Sequence, residues 1–192
     1  MRQTLLVPVV LATDTSFSAY GNVLDPSAAL AGHGGPSHIG PGYATWRFPL
    51  DLGGKADLTM LRHPYDRIAC RLMERHSQVT ELRVPLDGRA SVVFVAAAGT
   101  DPAPQDVRGF LVDGSCALLI ARNCWHSPSY PLDPRGATFI LVSDAETEAE
   151  LETAGQGTTT RYTQIADWGG GIEFVPDFAE LGQPYDRLRP IS

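Results

Sequence analysis

Four residues with metal-binding or proton-transfer chemistry stand at spacings that could bring them together. Glu74 and His76 are two positions apart, so on one β-strand their side chains lie on the same face. Glu81 follows shortly after, and His126 lies in a later apolar segment. Two imidazoles and one or two carboxylates in a dry interior can bind a divalent metal such as Zn, Mn, Fe or Ni. They can also act as a general acid and base.

The spacing alone leaves a second interpretation open. Glu81 and Arg83 could be surface residues of a strand, and His126 could be a core histidine with ordinary hydrogen bonds. Which interpretation holds depends on the strands that carry these residues, and sequence patterns do not show which strands pair.

Short β-strands are the elements that would position the four residues. The chain has 19 glycines and 15 prolines, and the apolar runs between them are short, which favours many strands over long helices. Residues 146–152 have helical composition. The predicted strands cover residues 5–11, 68–75, 79–84, 90–97, 107–112, 117–122, 138–143, 161–165 and 172–175.

Turn residues separate these segments. Residues 85–88 (PLDG) and the pair Asp113–Gly114 predict hairpin turns. Asp14 or Thr15 can cap a short helix that Gly21 would close. Short strands with turns at this spacing indicate a sandwich or a barrel.

Composition narrows the class of protein. The chain has 192 residues, 43% hydrophobic and 19% charged, which predicts one folded domain. A net charge of -7 without a basic run argues against a nucleic-acid partner. No apolar run is long enough to cross a bilayer, so no membrane partner is expected. Three cysteines without a C-x-x-C pair and an N-terminus without a leader pattern suit a reducing cytoplasm.

The spacing around Glu74 resembles the first sequence motif of the cupins. That motif has two histidines two positions apart, then a glutamate and a glycine; here Glu74 replaces the first histidine, while His76, Glu81 and Gly88 fit. His126 resembles the histidine of the second motif. The resemblance implies an all-β cupin fold, a double-stranded β-helix or jelly-roll barrel, with a few short helices.

Several segments in order are similar to the ureidoglycolate lyase family. Residues 122–128 (RNCWHSP) are the most specific of them. The resemblance implies a carbon–nitrogen lyase that cleaves ureidoglycolate, or a close analogue, to glyoxylate and urea in purine catabolism. The other segments are residues 17–23 (FSAYGNV), Arg62, residues 73–76 (MERH), 84–85 (VP), 92–97 (VVFVAA) and 107–114 (VRGFLVDG).

The chain also departs from that family's pattern. The family usually has Gln where this chain has Glu81, and commonly has proline where it has Ser77; the extra carboxylate favours metal binding. Residues 26–57 form a loop-rich insertion and residues 153–192 a C-terminal extension, around a barrel core of about 58–150. We expect all of them to belong to one domain, residues 1–192.

The resemblance assigns roles to particular residues. His76, Glu81 and His126 are candidates for proton transfer, and Glu74 joins them as a metal ligand. Arg62 and Arg122 could catalyse the reaction by binding the carboxylate of a small-molecule substrate. Trp125 could line the pocket beside them. Cupins and this family also form homodimers, so a homodimer is expected.

Two other functions stay open on the sequence. One is a metal-dependent cupin enzyme that acts on a different small oxyacid, which the Glu81 carboxylate favours. The other is a non-catalytic cupin that binds a metabolite. Substrate turnover and bound metal distinguish the three.

Overall fold

The computed structural model describes residues 3–26, 37–99, 101–154 and 157–181. Strands dominate these ranges, and the helix predicted at residues 146–152 is present as α1 (Ala145–Ala154). The strands are β1 (Gln3–Leu11), β2 (Gly21–Leu24), β3 (His38–Gly40), β4 (Tyr43–Thr45), β5 (Ala56–His63), β6 (Leu72–His76), β7 (Glu81–Pro85), β8 (Ser91–Ala96), β9 (Arg108–Val112), β10 (Ala117–Ile120), β11 (Trp125–His126), β12 (Tyr130–Pro131), β13 (Ala137–Asp144), β14 (Thr163–Asp167) and β15 (Ile172–Asp177).

Two facing sheets form the body of the fold. An eight-stranded sheet has the order β14-β6-β11-β8-β9-β1-β15, with β12 also paired to β8. A five-stranded sheet has the order β2-β10-β7-β13-β5, and β3 pairs with β4 separately. This arrangement confirms the predicted all-β, cupin-like fold.

The eight-stranded sheet is covered on both faces. Because side chains alternate along a strand, Val93 and Val95 of β8 point towards the five-stranded sheet, where they pack with Leu118 and Ile120 of β10. The intervening Phe94 and its neighbours pack on the opposite face in a second core, which contains Val7, Val9, Met73, Val92, Ala96, Trp125 and Phe174. The space between the sheets is therefore the interior of the barrel.

The two predicted hairpin turns connect different sheets instead. β7 pairs with β10 and β13, whereas β8 pairs with β9, β11 and β12, so residues 85–88 carry the chain from one sheet to the other. Asp113–Gly114 does the same between β9 and β10. Gly88 and Gly114 both have positive φ, as sharp turns require. The turn residues thus predicted correctly where the chain turns. The hairpin pairing of the flanking strands was wrong, because packing between the sheets determines the strand partners.

Two local predictions also differ from the structure. Residues 14–20 form turns rather than a capped helix. There the Ser16 hydroxyl donates to the Leu11 carbonyl and accepts from the Thr13 backbone N–H, and these side-chain bonds compete with a regular helix. Strand β5 was missed because its apolar residues Leu58 and Met60 lie on the exposed face, which reverses the usual alternation.

The first and last described strands join the main sheet. Strand β15 runs parallel to β1, with Gln3 opposite Ile172, and β14 pairs with β6. These strands lie outside the expected barrel core of 58–150, yet they complete the eight-stranded sheet. Residues 27–36 of the expected insertion and 182–192 of the expected extension lie outside the described residues. In the described ranges, no helix has the length and apolar character needed to span a bilayer.

Candidate active site

Three of the predicted site residues meet inside the barrel. His76 ends β6, Glu81 begins β7 and His126 ends β11, and their exposed fractions are 3%, 4% and 1%. Strand β11 pairs directly with β6, which places His126 beside the first of these strands. Glu81 enters from the facing five-stranded sheet, where it lies opposite Ile120. The site therefore bridges the two sheets.

Glu81 is the centre of this cluster. Its Oε2 atom lies 3.3 Å from His76 Nε2 and 3.5 Å from His126 Nε2. Its Oε1 atom accepts a hydrogen bond from Arg83 Nε. Burial opposes ionisation, but the positive charge of Arg83 and the two imidazoles outweigh it and hold the pKa of Glu81 well below its ordinary value. Glu81 is thus a buried carboxylate anion.

The Nε2 atom of His126 faces this anion at 3.5 Å. Its Nδ1 atom lies 3.0 Å from the Cys124 carbonyl oxygen, and because a carbonyl can only accept, Nδ1 carries the proton. In the neutral ring, Nε2 is then a lone-pair atom. Among the described residues this buried Nε2 has no hydrogen-bond partner. A lone pair facing a carboxylate requires a proton or a cation between them.

His76 is held on both sides of its ring. Its Nδ1 atom lies 2.8 Å from Thr163 Oγ1 on the neighbouring strand β14. Burial lowers the pKa of His76, but the hydrogen bond and charge of Glu81 outweigh burial, so the net direction is upward. The raised pKa favours the protonated ring, whose Nε2 atom then faces Glu81 Oε2 at 3.3 Å as a cation beside an anion.

Glu74 completes a group that suits a metal ion. Ligand atoms of Glu74, His76 and His126 all lie within 4.8 Å of one another. Glu74 is the direct cross-strand neighbour of His126 and is the most exposed of the three. Two imidazoles and a carboxylate are a usual ligand set for a divalent transition metal, and the partnerless Nε2 of His126 fits that use. Glu81 is not in this group, yet its Oε2 atom lies 3.5 Å from His126 Nε2, closer than Glu74 Oε1 at 3.9 Å.

Arg83 is a site residue that the sequence analysis did not select. It lies two positions after Glu81 on β7, so strand alternation turns both side chains into the barrel. Its Nη1 atom donates to the Ser127 carbonyl at 2.7 Å and to Ser129 Oγ at 3.4 Å. The spacing of two positions from Glu81 could have predicted that Arg83 shares its face of the strand. The interpretation of Arg83 as a surface residue did not use it.

The structure does not bring Arg62 and Arg122 to the site. Arg62 lies on the exposed face of β5, where its guanidinium bonds to Thr138 Oγ1 and the Arg135 carbonyl. Arg122 is exposed in the turn before β11 and donates twice to the Ser77 carbonyl, at 2.8 and 3.1 Å. Both arginines fasten backbone segments, which explains their positions without a substrate.

Trp125 also lies away from the interior. It precedes His126 on β11, so its ring points to the opposite face of the sheet and is fully buried in the outer core. The Arg75 guanidinium lies 4.6 Å above the ring centroid. The prediction that Trp125 lines the pocket overlooked this alternation.

Comparison with known proteins adds independent information. The family model described as "Ureidoglycolate lyase" matches residues 4–160. A protein named ureidoglycolate lyase from Brucella ovis is 38% identical over 82 residues, which cover 42% of this chain and 47% of that protein. One of the same name from Pseudomonas paraeruginosa is 35% identical over 72 residues, 38% of this chain and 42% of that protein. The chain thus spans just under half the length of these curated relatives.

Proposed function

Since this chain belongs to the ureidoglycolate lyase family, we propose that it cleaves ureidoglycolate, or a close analogue, to glyoxylate and urea. Such a reaction belongs to the degradation of purines. Two curated relatives carry the name of this enzyme, and the polar cluster between the sheets supplies groups for the required proton transfers.

The proposed reaction moves one proton and breaks one bond. The hydroxyl on the reacting carbon loses its proton, and the oxygen electrons form the carbonyl of glyoxylate. The bond from that carbon to the ureido nitrogen breaks, and the nitrogen gains a proton to give urea. No water is consumed, so a single group that accepts and then returns a proton suffices.

His126 is the proposed proton carrier, and its Nε2 atom is the observation that carries the proposal. This atom is buried, its lone pair is free because Nδ1 donates to Cys124, and it has no hydrogen-bond partner in the described part of the chain. After accepting the hydroxyl proton, the imidazolium would lie beside the Glu81 anion. Glu81 thereby stabilises the charged intermediate state of the enzyme.

A divalent metal is the second proposed component. Glu74, His76 and His126 would hold it, and it would act as a Lewis acid towards the substrate oxygen. The Nε2 lone pair of His126 cannot bind a metal and accept a proton at once. With His126 bound to a metal, the proton role would fall to Glu81, whose Oε2 atom faces both histidines.

Product analysis tests the proposal. The untagged protein would be analysed for bound metals and assayed with ureidoglycolate, with glyoxylate and urea both quantified, before and after chelation. Equal release of glyoxylate and urea is expected; ammonia in place of urea, or no turnover, would contradict the lyase. Loss of turnover on chelation would assign the metal role, and retention would assign the proton-carrier role of His126.

A different reaction on a small oxyacid is the second candidate. The observation that favours it is the buried Glu81 anion beside two imidazoles, where the family resemblance leads us to expect an amide. Tightly bound metal without glyoxylate release would support it. Ligand binding without turnover of any tested acid would instead support a non-catalytic metabolite-binding cupin.

We further propose that the chain forms a homodimer. Leu58 and Met60 are 66% and 70% exposed on the outer face of β5, the last strand of the five-stranded sheet. A second copy could cover this apolar strip through a self-complementary contact. Light scattering should show a dimer that Met60→Glu dissociates; a monomeric unsubstituted chain would contradict it.

We also propose that the chain forms a single domain and works in a reducing compartment. Pairing of β1 with β15 joins the first and last described strands in one sheet, which supports a single domain. All three cysteines, Cys70, Cys116 and Cys124, are free and buried, which supports a reducing compartment such as the cytoplasm.

A further inference from the structure

Arg83 is the arginine that the fold places inside the barrel. Its residue exposure is 6%, and in the described ranges no other arginine or lysine is buried to this degree. It lies opposite Leu118 on one neighbouring strand and Leu141 on the other. Burying a guanidinium is costly, so its hydrogen bonds determine what the interior can bind.

The donors of Arg83 are only partly used. Nε donates to Glu81 Oε1, and Nη1 donates to the Ser127 carbonyl and Ser129 Oγ. No acceptor for Nη2 lies among the described residues, and Nη2 is not one of their fully buried atoms without a partner, so it keeps a small accessible surface. Two strong N–H donors on a fixed cation are therefore free to meet a ligand.

The shape of the guanidinium indicates where that ligand lies. Nε–H and one Nη2–H run parallel along the same edge of the planar group. Because Nε–H meets Glu81, the parallel Nη2–H extends towards the region that the Glu81 carboxylate occupies. The other oxygen of that carboxylate contacts both His76 and His126. A small anion beside the histidines is thus within the field of Arg83.

The positive field of Arg83 also reaches beyond its ion pair with Glu81. His63, at the end of β5, lies on the inward side of its strand. Burial and then the charge of Arg83 lower the pKa of His63. His63 is therefore close enough to Arg83 to be affected by its charge.

We propose that Arg83 binds the carboxylate of the acid substrate through Nη2 and determines the preference for anionic over neutral substrates. This inference rests on the proposed function for the identity of the acid. Arg62 and Arg122 are committed to backbone carbonyls outside the barrel. A carboxylate held by Arg83 would fix the adjacent reacting carbon near His126, and a cation or imidazolium at the histidines balances the added negative charge.

Calorimetric titration with glycolate and glycolamide tests the proposal. The two probes share one skeleton and differ in the carboxylate, so their affinity ratio isolates the ionic contact without any turnover. The unsubstituted protein should bind glycolate more tightly, and Arg83→Gln should weaken glycolate roughly tenfold or more while glycolamide stays unchanged. Arg83→Lys should restore part of the difference, since it keeps the charge but not the planar fork.

Removing Arg83 alone leaves Glu81 as an unpaired buried anion, so a second variant is needed. The double variant Glu81→Gln with Arg83→Gln keeps the interior neutral and separates folding from binding; it should also lose the preference for glycolate. Arg135→Gln, an exposed arginine paired with Asp133, is the matched control and should bind glycolate normally.

The outcomes separate this inference from the lyase proposal. Equal affinity for the two probes in the unsubstituted protein, retained preference in both Arg83 variants, or loss in Arg62→Gln instead would overturn the role of Arg83. A preference that depends on Arg83 in a protein without glyoxylate release would sustain the carboxylate site and reject ureidoglycolate as the substrate.

Discussion

His126 on β11 and Glu74 on β6 are direct cross-strand neighbours, and His126 Nε2 lies 3.9 Å from Glu74 Oε1. This pairing joins the two sequence motifs of the cupin pattern in one place. It depends on the insertion of the two-residue strand β11 between β6 and β8.

Glu74 should contribute to metal affinity. Glu74→Gln removes the charge of one of three grouped ligands and should weaken metal binding roughly tenfold or more. Titration of the metal-free protein with Ni or Zn measures this. Glu146→Gln, on the exposed side of α1, is the matched control; equal metal affinity in both variants would count against the ligand set.

Gly114 should be intolerant of any side chain. Its φ is +91°, and an added Cβ would lie 2.3 Å from the Gly88 carbonyl oxygen, where the two inter-sheet turns meet. Gly114→Ala should lower the free energy of unfolding by about 2 kcal/mol or more, because backbone strain and a clash combine. Urea denaturation measures it. Gly54→Ala, in open space, should be nearly neutral; equal effects would mean that the turns do not touch.

Trp125 should affect stability and leave substrate affinity alone. Its ring is fully buried in the outer core beneath Arg75. Trp125→Phe should lower the free energy of unfolding by roughly 1–3 kcal/mol through lost packing. The glycolate affinity should stay within about twofold of the original, since the ring faces away from the interior. A large loss of glycolate affinity in a stable variant would show instead that Trp125 lines the binding site.

Glu173 should govern part of the acid stability. Hydrogen bonds from Arg67 and then Arg71 lower the pKa of this carboxyl to about 2. A depressed folded-state pKa gives stability that is present above the unfolded value near 4.5 and is lost as pH falls towards 2. Glu173→Gln should therefore reduce stability at pH 7 and flatten its decline over that window.

Urea denaturation at several pH values measures the Glu173 contribution. Glu152→Gln, which replaces an exposed carboxylate of α1, is the matched control and should keep the original pH profile. An unchanged profile in Glu173→Gln would show that the pairing with Arg67 and Arg71 is not linked to folding.

The sequence predicted the strands that carry a regular apolar pattern and the residue types of the site. Residues 90–97 and 138–143 correspond closely to β8 and β13, because each has a continuous apolar run between turn residues. His76, Glu81 and His126 converge as their spacing suggested. The local sequence pattern was sufficient to predict a strand or site residue where burial follows the alternation of side chains along the strand.

The rest depended on pairing that no local pattern encodes. Arg83 is buried because β7 lies between β10 and β13, and neither partner can be identified from residues 81–85. The guanidinium group of Arg62 is suited to binding a carboxylate. However, β5 turns its odd-numbered residues inward and leaves this arginine outside. The parallel pairing of β1 with β15 joins residues 169 positions apart.

The most direct test of the central claim is the rate of glyoxylate release from ureidoglycolate by the unsubstituted chain beside His126→Asn. We expect release with an equal amount of urea, and a fall of at least about a hundredfold in His126→Asn, because this variant keeps the fold but lacks the Nε2 group in the interior. Undiminished release by a folded His126→Asn protein would contradict the assignment of the active site to the cluster between the sheets.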